Sequence, residues 1–310
     1  MTRLASLIDI QERTADVMVA DLHRARSFIR HMTIGAGDAG GEAQPPEPGE
    51  PAATRHGVGE GYIRWFETLR LDDVPLVGGK PVEPKGNALD PNPHLDNPRA
   101  PEIGARYARE FFRKNPEAFS VAMGVNDTFK FDDSAPSEGW FRDRPVRTDY
   151  VFGFLNEVAD SVWAPGGDND GKSHAIGALA YMQTLRAPTI KLRPEIFPWV
   201  CAERIGYGSP EFIAQDRANL AAWAKSGVKR LGVYDYLYGV DVASPRVNFT
   251  ALTGSIRATH TAGATGWYAE AYPLWAFDAP KLWLAAKLLE NKNADAGALL
   301  QKWFDAAYGP

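Results

Sequence analysis

The chain has 310 residues, 45% of them hydrophobic and 24% charged, with a formal net charge of -5 and a pI near 5.7. That length allows one large α/β domain or two ordinary ones. With no long basic run, a phosphate-tracking surface is not expected, and neither is nucleic-acid binding. The single cysteine, Cys201, excludes a disulfide framework and a cysteine-based zinc site. No run of about 18 apolar residues occurs, so no membrane span is expected. The opening MTRLASLIDIQERTADVM carries acids within its apolar stretch and does not read as a signal peptide. Localisation is left open by these features.

In chain order, residues 3–33 read as one or two helices, with Leu4, Leu7, Ile8, Val17, Leu22 and Ile29 at helical intervals. Residues 34–60 are rich in Gly, Pro and Glu, the composition of a flexible linker. The expected division is therefore a helical segment and linker over 1–60 and a main domain over 61–310. Residues 61–100 show no clear period and are expected to be mostly loop.

From Pro101 the pattern is regular. PEIGARYAREFFRKNP spaces Ile103, Tyr107 and Phe111 four apart, which predicts a helix starting near Pro101 and ending before Pro116. FSVAMGV (119–125) reads as a strand. A helix over about 149–163 follows, with Thr148 or Asp149 as its cap. Further strands are HAIGALAYM (174–182), IFPWVCAE (196–203), RLGVYDY (230–236) and ATGWYAEAY (264–272). Helices are expected over 210–226 and 247–261, and two more close the chain. Between LAYM and IFPWV there are too few residues, and two prolines, for a full helix. Strands alternating with helices, and apolar on both faces, predict parallel strands with crossover helices. Five such strands fit a doubly wound sheet or the later part of an eight-stranded barrel.

Four of the five strands deliver an acid at their carboxyl end: Asp127, Glu203, Asp235 and Glu270. The fifth ends in Tyr181 and Gln183. In a β/α barrel this is the face where catalytic groups gather. A carboxylate at the end of an apolar strand is costly unless it is paired, hydrogen-bonded or functional. Asn126, Trp199, Arg204, Tyr236, Trp267, Tyr272 and Trp275 lie close to these ends. Aromatic rings stack on the apolar faces of sugars, and carboxylates accept hydroxyl hydrogens. The pattern therefore suits a carbohydrate ligand and hydrolysis by paired carboxylates, with no cofactor and no metal. A carbohydrate-binding barrel without catalysis fits the same residues. The six histidines form no i, i+4 metal pair, and no Gly-x-Ser-x-Gly elbow or phosphate-binding loop is present.

PEIGARYAREFFRKNPEAFSVAMGVND, GVYDY and GWYAEAYPLWAFDAPKLWLAAKLL resemble a bacterial family defined by a domain of unknown function. That family is distantly similar to α-glucuronidases and β-hexosaminidases. The resemblance implies a (β/α)8, TIM-type barrel with incomplete or divergent early strands, and glycoside hydrolase activity. It implies that Asp127 resembles the proton donor, that Glu203 and Asp235 resemble the base pair, and that Glu270 completes the ring. Arg204, beside Glu203, would then be placed to meet a uronate carboxylate or, equally, to form a surface ion pair. The segment after Asp127, TFKFDDSAPSEG, lacks the cysteines that such relatives often carry there.

Overall fold

The computed structural model describes residues 32–35, 76–82, 91–92, 94–116, 118–126, 128–133, 147–164, 174–204, 208–237, 247–270 and 275–309. The strands are β1 Met32–Gly35, β2 Leu76–Val77, β3 Lys80–Pro81, β4 Ser120–Ala122, β5 Ala175–Ala180, β6 Ile196–Cys201, β7 Gly232–Tyr236 and β8 Gly266–Glu270. The helices are α1 Ala100–Lys114, α2 Arg147–Val162, α3 Pro210–Ala224, α4 Phe249–Thr261, α5 Trp275–Glu290 and α6 Ala296–Tyr308. The fold is α/β with parallel strands, and it divides into two compact units.

One unit comprises Gln44–Cys201 and Asn219–Gly232. Its strands run in the order β4-β5-β6, all parallel. Nearly every residue of β5 and β6 is buried, as expected of parallel strands covered on both faces. Helices α1 and α2 pack on each other through Gly104, where a Cβ would stand 2.9 Å from Val158 Cγ2. The stretch between β5 and β6 holds a single 3₁₀ turn, Met182–Thr184, in place of a helix, as its length and prolines predict.

On β6 the Trp199 indole lies across Gly232, where a Cβ would sit 2.4 Å from the ring, and it also approaches Gly177. Phe197 packs against Trp199 at 4.7 Å and against Phe119 at 5.9 Å. Trp199 is thus part of an aromatic packing layer, and glycine at 232 is what admits it. Gly232→Ala is expected to destabilise the protein by about 1–3 kcal/mol through overpacking, with Trp199→Leu in the same chain recovering most of the loss. Chemical denaturation of the single and double variants checks this.

The other unit comprises Met1–Ala43, Ala202–Ala218 and Val233–Pro310. Here β1 pairs in parallel with β8, and β7 lies on the other side of β8. Asn248 caps α4 by accepting from the Ala251 amide at 2.9 Å. Asp295 caps α6 through the amides of Gly297 and Ala298. Helices α4, α5 and α6 pack in succession over a core that includes Ile256, Leu284, Leu288 and Trp303.

The structure differs from the sequence reading at three places. Met32–Gly35 is a strand, not the end of a helix and the start of a linker; MTIG is too short to show a period, and its pairing with β8 decides its form. Residues 76–81 form a small antiparallel hairpin within the stretch expected to be loop. Gly78 and Gly79, at φ 62 and 69, supply the left-handed pair that a two-residue hairpin turn requires. Thr148 and Asp149 lie inside α2 and do not cap it: Thr148 donates to the Arg186 carbonyl, and Asp149 accepts from the Thr189 amide and hydroxyl. The helix expected over 3–31 and the linker over 36–60 lie outside the described residues. Each unit carries three parallel strands, and an eight-stranded closure is not present among the described residues.

Candidate active site

Alternation along β7 and β8 sorts their polar residues onto two faces. Tyr234 and Tyr236 of β7 share one face with Tyr268 and Glu270 of β8. The Tyr234 hydroxyl donates to Glu270 Oε1 at 2.5 Å. The Tyr234 ring lies 4.5 Å from Tyr268 and 5.4 Å from Tyr236. Burial, and then the bond to Glu270, push the Tyr234 hydroxyl well above the usual tyrosine range, so it stays a donor. Tyr234, Tyr236 and Glu270 are half-buried. The result is a carboxylate at a strand's carboxyl end, oriented by a phenol and bordered by three rings. Such a group is fit to accept a proton, attack an electron-poor carbon or bind a hydroxyl.

Asp235 occupies the opposite face of β7 and is fully buried. Its Oδ1 accepts from the backbone amides of Arg204 at 2.9 Å and Tyr236 at 2.8 Å. Its Oδ2 has no hydrogen-bond partner among the described residues. Arg204 is also fully buried, and its guanidinium forms a fork with Asp216 of α3, with both bonds at 2.9 Å. The remaining guanidinium nitrogen donates to the carbonyls of Tyr234 and Ala202. Arg204 thus has a carboxylate partner inside the protein, Asp216.

Burial raises the Asp235 carboxyl to about 6, against the pull of the Arg204 charge and of the two backbone bonds. The folded state thus holds this proton more tightly than the unfolded chain does. The stabilisation is fully present below 3.8 and is lost as pH rises through about 6. The span corresponds to ~3 kcal/mol. Relative to wild type, Asp235→Asn is expected to gain about that much stability between pH 4 and pH 7. Urea unfolding across this range checks it; parallel pH profiles would contradict it.

Glu203 follows β6 and is exposed, while its neighbour Arg204 is buried. The Ala202 amide donates to the Tyr234 carbonyl, which sets this chain end beside β7. Glu203 and Glu270 are thus the accessible acids of this unit among those that the sequence singles out, and Asp235 is not. Trp267 is 5% exposed and alternates to the face away from Tyr268 and Glu270. Tyr272 lies outside the described residues, as does the side chain of Trp275 at the start of α5.

In the other unit Asp127 lies outside the described residues, but its neighbours do not. Asn126 is buried, and its amide donates to Asn92 Oδ1 at 2.7 Å. His94 pairs through Nε2 with the buried Asp132. Tyr181 is half-buried at the end of β5 and precedes Met182, whose φ of 50 is left-handed. A non-glycine residue held there stores strain of about 1 kcal/mol, a feature common near functional sites. A cleft of about 510 Å³, lined by Asn156, Asp160 and residues 191–194, lies before β6, at the amino end of that strand. Among the described residues no group of three or more His, Cys, Asp or Glu side chains is placed to hold a metal ion, and no helix is long and apolar enough to cross a membrane.

Asp216, Asn92 and His94 are not legible as site residues. Asp216 sits in an ordinary amphipathic stretch, and Asn92 and His94 sit in the proline-rich segment without period. The available signal was alternation: VYDY places Asp235 opposite its two tyrosines, and YAE places Glu270 with Tyr268.

A parallel α/β protein with acids at its strand ends is the class that this fold and site define. The chain belongs to the family of the domain of unknown function DUF4838, whose model matches residues 82–310. No curated protein and no solved structure matches the chain.

Proposed function

We propose that the protein is a glycoside hydrolase that works by carboxylate catalysis, with Glu270 as its principal reacting carboxylate. The observation that carries this is the Tyr234–Glu270 bond within the ring-bordered face at the ends of β7 and β8. Tyr236 and Tyr268 would stack on a sugar face. Among the strand-end acids, Glu203 is the second accessible carboxylate of this unit. Asp127 enters as proton donor from the sequence reading alone, and the parent architecture in this proposal is an eight-stranded β/α barrel.

In the reaction, the donor protonates the glycosidic oxygen as its bond to the anomeric carbon breaks. Water supplies the new bond to that carbon, and its proton passes to a carboxylate. Carboxyl groups about 5–5.5 Å apart give retention through a covalent intermediate, and those about 6.5–9.5 Å apart give inversion. Asp235 supports the fold in this scheme, since Arg204 and Asp216 surround it on the other face.

A second reading, a carbohydrate-binding protein without catalysis, is favoured by one observation. The acid whose pKa is raised, Asp235, faces away from the tyrosines. A panel of aryl glycosides, run with Glu270→Gln and Asp127→Asn as controls, separates the two. Hydrolysis by the wild type that both variants lose supports the enzyme. Saturable sugar binding without hydrolysis, weakened by Tyr236→Ala, supports the binder. The absence of both hydrolysis and binding would overturn the carbohydrate proposal.

A further inference from the structure

We infer that Asn92 is a positioning residue for Asn126, Thr128 and Lys130, which flank Asp127 in the chain after β4; its catalytic part rests on the donor role proposed for Asp127. Strand β4 ends at Ala122, so the described residues Asn126, Thr128 and Lys130 lie past its ladder and without its backbone partners. Asn92, fully buried, supplies them instead. Its Oδ1 accepts from the Asn126 amide at 2.7 Å. Its own amide donates to the Lys130 carbonyl at 2.8 Å, and its Nδ2 donates to the same carbonyl at 3.2 Å and to that of Thr128 at 3.5 Å. The described residues on either side of Asp127 in the chain, Asn126 before it and Thr128 and Lys130 after it, are therefore held by one side chain.

The grip is itself anchored. The Tyr150 hydroxyl of α2 accepts from the amides of Leu95 and Asp96 and donates to the Asp96 carboxylate. His94, two residues after Asn92, pairs with Asp132, two residues after Lys130. Within the turn, the Thr128 amide reaches the Asn126 carbonyl and the Lys130 amide reaches the Thr128 hydroxyl. An asparagine suits the position because it offers one acceptor and two donors. Aspartate keeps the size and the acceptor but turns a second oxygen toward two carbonyls. Asn92→Asp is therefore the sharpest test, and Asn92→Ser is the milder one.

The experiment combines hydrogen exchange over residues 120–132 with turnover on the glycoside panel. Both variants are expected to speed exchange of the turn amides by about tenfold or more, while the amides of β5 and β6 keep their protection. They are expected to lower kcat by about 10²-fold with KM within about threefold. Added to Asp127→Asn, either substitution is expected to cost little more, because the two act through one group. Unchanged exchange in the turn overturns the positioning role whatever the activity shows. Faster exchange with unaltered kcat, or with losses that add fully to those of Asp127→Asn, overturns its link to catalysis. A wild type that cleaves no glycoside refutes the functional reading separately and leaves the exchange result to decide the structural one.

Discussion

Glu270→Gln is expected to lower turnover of the cleaved glycoside by about 10²–10⁴-fold, the range for removing a positioned acid–base group. Unfolding is expected to shift by less than about 1 kcal/mol, because the amide keeps an oxygen for the Tyr234 hydroxyl and the residue is only half-buried. Tyr234→Phe separates orientation from chemistry. It leaves the carboxylate in place but removes its donor, so a smaller loss, about tenfold, is expected, mainly in kcat. A Tyr234→Phe loss as large as that of Glu270→Gln would mean that the phenol itself takes part in the reaction. Steady-state kinetics on the same substrate, with circular dichroism to confirm folding, measures both.

The largest expected effect on stability is at Asp216. Its carboxylate holds both arms of the Arg204 fork, and the two side chains are 4% and 0% exposed. Asp216→Ala leaves a guanidinium buried beside Asp235 with its main partner gone. Breaking a buried pair in this way costs about 3–5 kcal/mol. Against a typical total of about 5–15 kcal/mol, that loss is decisive. Replacing both partners, as Arg204→Met with Asp216→Leu, is expected to cost less than Asp216→Ala alone, since neither charge then remains buried without the other. Equilibrium unfolding in urea reads the difference. A loss below about 1 kcal/mol for Asp216→Ala would show that water reaches the guanidinium.

The regular half of the chain was legible because its elements follow simple physics. Buried parallel strands such as AIGALA and IFPWVC are apolar on both faces, and α1 is bounded by Pro101 and Pro116. Elements fixed by distant partners were not legible. MTIG becomes a strand through its pairing with β8, and Asp149 turns from a cap into a clamp on Thr189. At the candidate site, the acids at the strand ends could be read from position. Their grouping could not be read from position alone. Taking the acids as one ring ignored the alternation that puts Asp235 with Arg204 and Asp216, and Glu270 with Tyr234 and Tyr268. Trp199 was read as a ligand platform because it lies near a strand end. The glycines at 177 and 232, which mark it as packing, are adjacent only once the strands are aligned.

The division of β7 into a chemical face and a supporting face is tested most directly by turnover of Glu270→Gln and Asp235→Asn, measured side by side on one glycoside. The predicted result is a loss of about 10²-fold or more for Glu270→Gln and of less than tenfold for Asp235→Asn. Asp235→Asn falling as far as Glu270→Gln, with its fold intact, would contradict the assignment.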